Sequence, residues 1–220
     1  MRSQAPVKVI SAGRVDVRRT LAFGWERTRA NLGFWILATV LLAGGSSILG
    51  GIAHLAGPLG LPLLVANLFV PGILAIGYTQ LGIDVAAGKP PRAEVMWAGW
   101  RQTISFFVVG SLVGLVVLIG TLLFVVPGIV WSAQFMMAPH FVVDRKIGPL
   151  AAMRASSIAT KGIKGPLLTF TFWLTMLNIA GLLCLGVGIL VTGPITTIAM
   201  GLVFREIASA RKRELAQLGL

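Results

Sequence analysis

The chain has 220 residues, of which 56% are hydrophobic and 12% charged, with a mean hydropathy of +0.88. About a quarter of the residues of a soluble domain are charged, so this balance excludes an ordinary soluble fold. The formal net charge of +12 does not point to nucleic acid. A nucleic-acid binder gathers its basic residues on one face of a polar domain, whereas here they punctuate long apolar runs.

Every Asp, Glu, Lys and Arg falls into four segments: Arg2 to Arg29, Asp84 to Arg101, Asp144 to Lys164 and Arg205 to Glu214. The charge-free stretches between them are 54, 42 and 40 residues long. A single crossing needs about 20 residues, so each stretch accommodates two crossings and a turn. The fold expected is an all-α integral membrane protein, 1–220 forming a single membrane domain of six transmembrane helices arranged as three hairpins.

In chain order, residues 1–32 form a basic N-terminal segment. It carries seven Lys or Arg and no compact apolar core ending at a small-residue cleavage site, so no signal peptide is expected. Within 16–31, Val17, Leu21, Trp25 and Thr28 recur at helical spacing among Arg18, Arg19, Arg27 and Arg29. This is the pattern of an amphipathic helix in the headgroup layer. Spans are expected at about 33–55 and 62–83, with a turn at Gly57-Pro58-Leu59-Gly60-Leu61-Pro62.

Trp97 and Trp100, followed by Arg101, form a second interfacial segment before spans at about 103–123 and 128–143, which turn near Pro127 and Gly128. A third interfacial helix is expected from Pro149 to Lys164, with Leu150, Met153 and Ile158 apolar and Arg154, Lys161 and Lys164 basic. Spans at about 166–186 and 190–205 follow, turning at Gly186 to Pro194, before a basic tail at 206–220. The fourth and sixth spans are short for a full crossing.

Lys and Arg number seven before the first span, three after the second, five after the fourth and four after the sixth. Positive residues stay on the cytoplasmic side. The expected location is therefore a bacterial inner (plasma) membrane, with both termini cytoplasmic. Trp25, Trp35, Trp97 and Trp100 are expected as interfacial anchors, since amphipathic indoles settle at headgroup level. A weak internal repeat joins Pro71-Gly72-Ile73 and Asp84 to Pro127-Gly128-Ile129 and Asp144, with Pro194 and Glu206 as a degraded third copy. Pro71, Pro127 and Pro194 are the expected helix breaks.

The stretch Asp144, Gly148, Pro149, Ala152, Met153, Arg154, Ser156, Thr160, Lys161, Gly162 resembles a recurring pattern of bacterial membrane proteins. In it an acidic residue ends one span, and a Pro-led helix with a Ser closes on a Thr-Lys-Gly stop before the next. Gly24-Trp25-Glu26 with Asn31 and Gly33 is similar to the same family's opening. The family comprises multi-span proteins of unknown function, similar to the membrane domain fused to some glycerophosphodiester phosphodiesterases. Met153 and Ser157 depart from its usual Leu and aromatic. The resemblance implies a multi-span fold; the phosphodiesterase activity belongs to a separate soluble domain and is not carried over.

No span carries a charge at its middle, which argues against a voltage sensor or a carboxylate proton relay. Asn67, Gln80, Gln134, His140 and Asn178 are the candidate intramembrane polar contacts, expected to join helices by hydrogen bonds. His54 and His140 are expected on opposite sides, so they share no metal. Either has the chemistry of an axial haem or chlorin ligand, but no cofactor is expected.

Asp144 and Glu206 are expected to pair with Arg145 and Arg205 at the interface. Cys184 has no cysteine partner and reads as a small apolar residue within a helix. Ser46 with Gly50, Ser47 with Gly51, and Gly110 with Gly114 are spaced for close helix contact.

No nucleophile–base pair, phosphate loop, zinc-protease helix or dinucleotide fingerprint occurs. The function expected is thus non-enzymatic: an assembly, scaffold or accessory subunit of a membrane complex. Its partners are membrane lipids, including anionic headgroups at the cytoplasmic face, and other proteins or copies of itself. A small-molecule or lipid transporter is the alternative, and an intramembrane enzyme the third reading.

Overall fold

A computed structural model describes residues 8–11, 14–55, 61–97, 99–184 and 186–217; the side chains of 45–50, 53, 54, 61–66, 68 and 125 also lie outside the description. Residues 57–60 of the turn expected at 57–62, the His54 side chain, and the pairs built on Ser46, Ser47 and Gly50 therefore fall outside it, while Leu61 and Pro62 open a helix.

A two-stranded antiparallel ribbon, β1 (Ile10–Ser11) and β2 (Arg14–Val15), precedes ten helices among the described residues. These are α1 (Val17–Ala30), α2 (Leu32–Leu55), α3 (Leu61–Ala86), α4 (Thr103–Leu123), α5 (Val125–Phe135), α6 (Ala138–Arg145), α7 (Pro149–Ala159), α8 (Lys164–Leu183), α9 (Ile189–Ala210) and α10 (Lys212–Ala216). Two 3-10 turns, Ala93–Met96 and Trp100–Gln102, lead into α4.

Five helical stretches of the described residues are long and apolar enough to cross a membrane: Phe69–Ala86, Ala93–Leu123, Val126–Arg145, Lys164–Leu183 and Ile189–Ala210. Leu32–Gly44 is a shorter apolar stretch within the 24 residues of α2. Consecutive helices pack as neighbours: α2 on α3, α4 on α5, and α8 on α9. The most extensive contact joins α3 to α9, and α1 and α2 also lie against α9.

Local chemistry explains several boundaries. Asp16 caps α1 by accepting the Arg19 amide at 2.9 Å, and Arg27 and Arg29 stand at its negative C-terminal end. Pro149 opens α7 where a missing amide costs nothing. Gly162 (φ +82°) follows α7 in the left-handed region that glycine enters without strain. The Thr-Lys-Gly stop thus has a backbone cause.

Three expectations change here. The fourth span, read as continuous over 128–143, is broken into α5 and α6 by a turn at Met136 and Met137. Pro139 stands in the first turn of α6 and has no amide to offer the carbonyl four residues back, at Phe135. Pro127 lies inside the first turn of α5, and the actual joint with α4 is Phe124 alone, in extended conformation (φ −158°, ψ 139°). Pro71 and Pro194 are inside α3 and α9, helices that continue through them. Cys184, read as lying within a helix, follows the last residue of α8 and is exposed in the turn to α9.

Candidate functional site

The polar side chains gather where the charged segments meet the helix ends. At the α5–α6 break, Gln134 is enclosed by α7 and the first residue of α8. Its backbone oxygen accepts Ser156 Oγ at 2.7 Å and Thr160 Oγ1 at 3.2 Å. Its side-chain Nε2 donates to Ser157 Oγ at 3.0 Å, and its Oε1 accepts Lys164 Nζ at 2.5 Å. A helix break frees carbonyls that must find other donors when buried. Ser156 and Thr160, both buried, supply them. The Ser and Thr of the recurring pattern therefore close a gap in the preceding helix.

A second junction holds the N-terminal ribbon. Glu206 Oε2 accepts the Val9 amide at 2.7 Å, and Oε1 accepts that of Ile10 at 3.0 Å. Val9 itself is buried in the main apolar cluster with Ile207 and Leu215. The expected pairing of Glu206 with Arg205 is not what forms, because backbone amides take both carboxylate oxygens. Asp144 does meet Arg145, at 3.3 Å. Arg211 donates to the Lys161 carbonyl at 2.9 Å, joining α9 to the end of α7.

The other candidates are dispersed. His140 packs its ring on Phe204 at 5.5 Å between centroids. Asn178 donates to Leu174 O of its own helix at 3.0 Å rather than across to a neighbour. Asn67 keeps a buried Oδ1 without a hydrogen-bond partner, and the amide-less Pro71 sits four residues on, so this turn of α3 is short of donors. Gln80 is half-buried.

Among the tryptophans, Trp25, Trp97 and Trp100 are exposed. Trp35 is not an anchor: it is fully buried, edge-on to Tyr78 with ring centroids 5.6 Å apart. Among the described residues no group of three His, Cys, Asp or Glu stands where it could hold a metal ion.

Sequence reasoning missed two contacts. Thr39 Oγ1 and Tyr78 OH lie 2.9 Å apart between α2 and α3; the available signal was the chain's single tyrosine in an otherwise apolar helix. Close helix contact also occurs at glycines other than the expected Gly51, Gly110 and Gly114. A methyl group on Gly201 would stand 2.6 Å from the Gly82 carbonyl oxygen, and one on Gly24 would stand 2.7 Å from that of Ile195. Gly51, Gly110 and Gly114 meet nothing within 4 Å.

Comparison with known proteins gives limited kinship. Over 131 residues the chain is 31% identical to the uncharacterized protein Rv2560 of Mycobacterium tuberculosis, covering 59% of this chain and 39% of that one. It is 30% identical over the same length to the uncharacterized protein Mb2590 of Mycobacterium bovis, with the same coverage. The chain thus spans well under half of the relatives it matches. No family model matches, and no solved structure matches.

Proposed function

We propose that the chain is a bacterial inner-membrane protein that works by binding, as an assembly, scaffold or accessory subunit of a membrane complex. It crosses six times, through α2, α3, α4, α5 with α6, α8 and α9, with both termini in the cytoplasm. The ribbon, α1, α7 and α10 lie at the cytoplasmic face against anionic headgroups, and kinship to the membrane domain fused to some phosphodiesterases belongs to the same reading.

The observation that carries it is the closed contact of α3, α9 and α1. Gly82, Gly201 and Gly24 bring backbones together with no room for a methyl group, which favours a fixed bundle over one that opens. Outward, Leu115, Leu118, Leu122, Phe172, Trp173 and Leu183 are exposed to lipid or a partner.

Extraction in mild detergent, followed by size exclusion with light scattering, tests the role. The expected mass exceeds the 23.3 kDa of one chain, through a stoichiometric partner or a second copy; a lone monomer would overturn it. Cys184 tests the topology, since it is exposed in the α8–α9 turn and would lie outside on this reading. A membrane-impermeant maleimide should label it in spheroplasts without permeabilisation. A cysteine introduced as Lys212→Cys in a Cys184→Ser background should label only after it.

The break at Met136 and Met137 favours the alternative, a small-molecule or lipid transporter with a discontinuous helix. Protein-dependent flux in liposomes would move the reading there.

A further inference from the structure

We infer that the cleft between α3 and the start of α4 is a discrete site for an anionic phospholipid. The cleft has a volume of about 430 Å³ and is lined by Phe69, Ile73, Trp100, Arg101, Thr103 and Ile104. Four of those six side chains are apolar or aromatic and one carries a permanent positive charge. A ligand that suits both needs an acyl chain beside an anionic oxygen, which is the chemistry of a phospholipid and not of free phosphate.

Arg101 is placed for the charged half. Its guanidinium carbon lies 5.3 Å from the Trp100 ring centroid, a cation–π contact that holds the charge beside the cleft. The ion pairs among the described residues are Lys89 with Asp84, Arg145 with Asp144 and Arg211 with Glu214, so no carboxylate neutralises Arg101. It is the last charge before 42 residues without one, where headgroup gives way to hydrocarbon. The positive end of α4 adds to the same potential.

Thr103 supplies the second observation. It is 4% exposed, lines the same cleft, and its Oγ1 has no hydrogen-bond partner. A buried hydroxyl without a partner is uncommon in a folded protein. Its oxygen is closed off in this conformation, so it reaches a phosphate oxygen held by Arg101 only when the side chain turns outward on binding, while Phe69, Ile73 and Ile104 flank the acyl chain. A second phosphate charge or a neutral glycerol headgroup suits Arg101; a choline cation opposes it. The inference rests on the membrane-spanning reading and is independent of the scaffold role.

The test is native mass spectrometry of the full chain in mild detergent with equimolar phosphatidylglycerol and phosphatidylcholine. Retained phosphatidylglycerol should exceed phosphatidylcholine by about tenfold, equivalent to about 1.4 kcal/mol. Arg101→Gln, an exposed position, should bring the ratio near parity. Arg101→Lys, which keeps charge without the planar fork, should fall between. Arg213→Gln in the tail should leave it unchanged.

Equal retention of the two lipids by the wild type, or an unchanged ratio in Arg101→Gln, would overturn the site, as would displacement of the lipid by millimolar inorganic phosphate. Alkaline carbonate extraction separates the two ideas. Protein that stays with the membrane but shows no lipid preference defeats the site alone, whereas protein released by carbonate defeats the membrane reading first.

Discussion

The sector built by α1, α3 and α9 and the hairpin of α4 and α5 draw on the same apolar residues, yet they meet their surroundings differently. In the apolar window of α9, 44% of the residues are buried within the protein, against 11% for the stretch that ends in α4. Gly82 and Gly201 meet backbone to backbone, while Gly110 and Gly114 of α4 face open space. Hydropathy is therefore a statement about which segments can enter a membrane. The close glycines of the hairpin, Gly120 and Gly128, meet only each other, Thr121 and Trp131, so they close the hairpin on itself, whereas Gly82 and Gly201 join helices that are distant in sequence. The face of the α4–α5 hairpin that carries Leu115, Leu118, Leu122, Leu123 and Phe124 is exposed and available to lipid or to another chain.

The largest expected effect separates the two regions directly. Gly201→Ala places a methyl group 2.6 Å from the Gly82 carbonyl oxygen, a backbone atom that cannot turn aside. It should destabilise by about 2–3 kcal/mol, at the upper end of overpacking effects. Gly114→Ala fills open space in a helix interior and should be neutral or gain up to about 1 kcal/mol from helix propensity. Thermal unfolding of both variants in one detergent checks this, and equal midpoints would break the comparison.

Next in size is the tie that holds the N-terminal ribbon on α9. Glu206→Gln keeps one acceptor for the Val9 and Ile10 amides but turns an NH2 toward the other, so two donors face each other. A charge-assisted pair replaced in this way should cost about 1–3 kcal/mol. Trypsin reads it locally, because Lys8 and Arg14 flank the tied segment. Cleavage there should quicken by about tenfold for each 1.4 kcal/mol lost, while cleavage within 89–101 stays unchanged. An unchanged rate at Lys8 and Arg14 would mean that the ribbon is held by Val9 packing alone.

The helix positions were largely legible, because charge-free stretches and Gly or Pro punctuation act locally and leave their mark in the sequence. The α8–α9 turn falls at Gly186 and Gly188, although Gly193 and Pro194, expected with them, lie inside α9, and the Pro149 start and the Gly162 stop of α7 lie where the motif puts them. Partners were not legible. Whether Trp35 faces headgroups or Tyr78, and whether Glu206 takes Arg205 or the amides of Val9 and Ile10, depends on residues 43 and 197 positions away. The break at Met136 and Met137 was hidden for a different reason. Pro127 advertises a kink, while Pro139 disables the ladder from the far side of the gap it causes.

That break offers the smallest and most specific test, since it is where the exposed hairpin is tied to the rest of the chain. The Gln134 carbonyl oxygen has two hydroxyl donors, Ser156 at 2.7 Å and Thr160 at 3.2 Å. Thr160 shares its one proton between this oxygen and the Ser156 carbonyl at 2.9 Å, so it remains a donor within reach when Ser156 is lost, and Ser156→Ala and Thr160→Val should each cost only about 0.5–1 kcal/mol, the net value of one hydrogen bond. The double variant leaves a buried carbonyl without a side-chain donor and should cost more than the sum, by about 0.5–1 kcal/mol, as coupled neighbours do. The excess should also loosen the hairpin selectively, quickening hydrogen exchange in α5 and α6 but not at the α3–α9 contact. Strict additivity would show that the break is satisfied without the hydroxyls, and that packing alone holds the exposed hairpin to the closed sector.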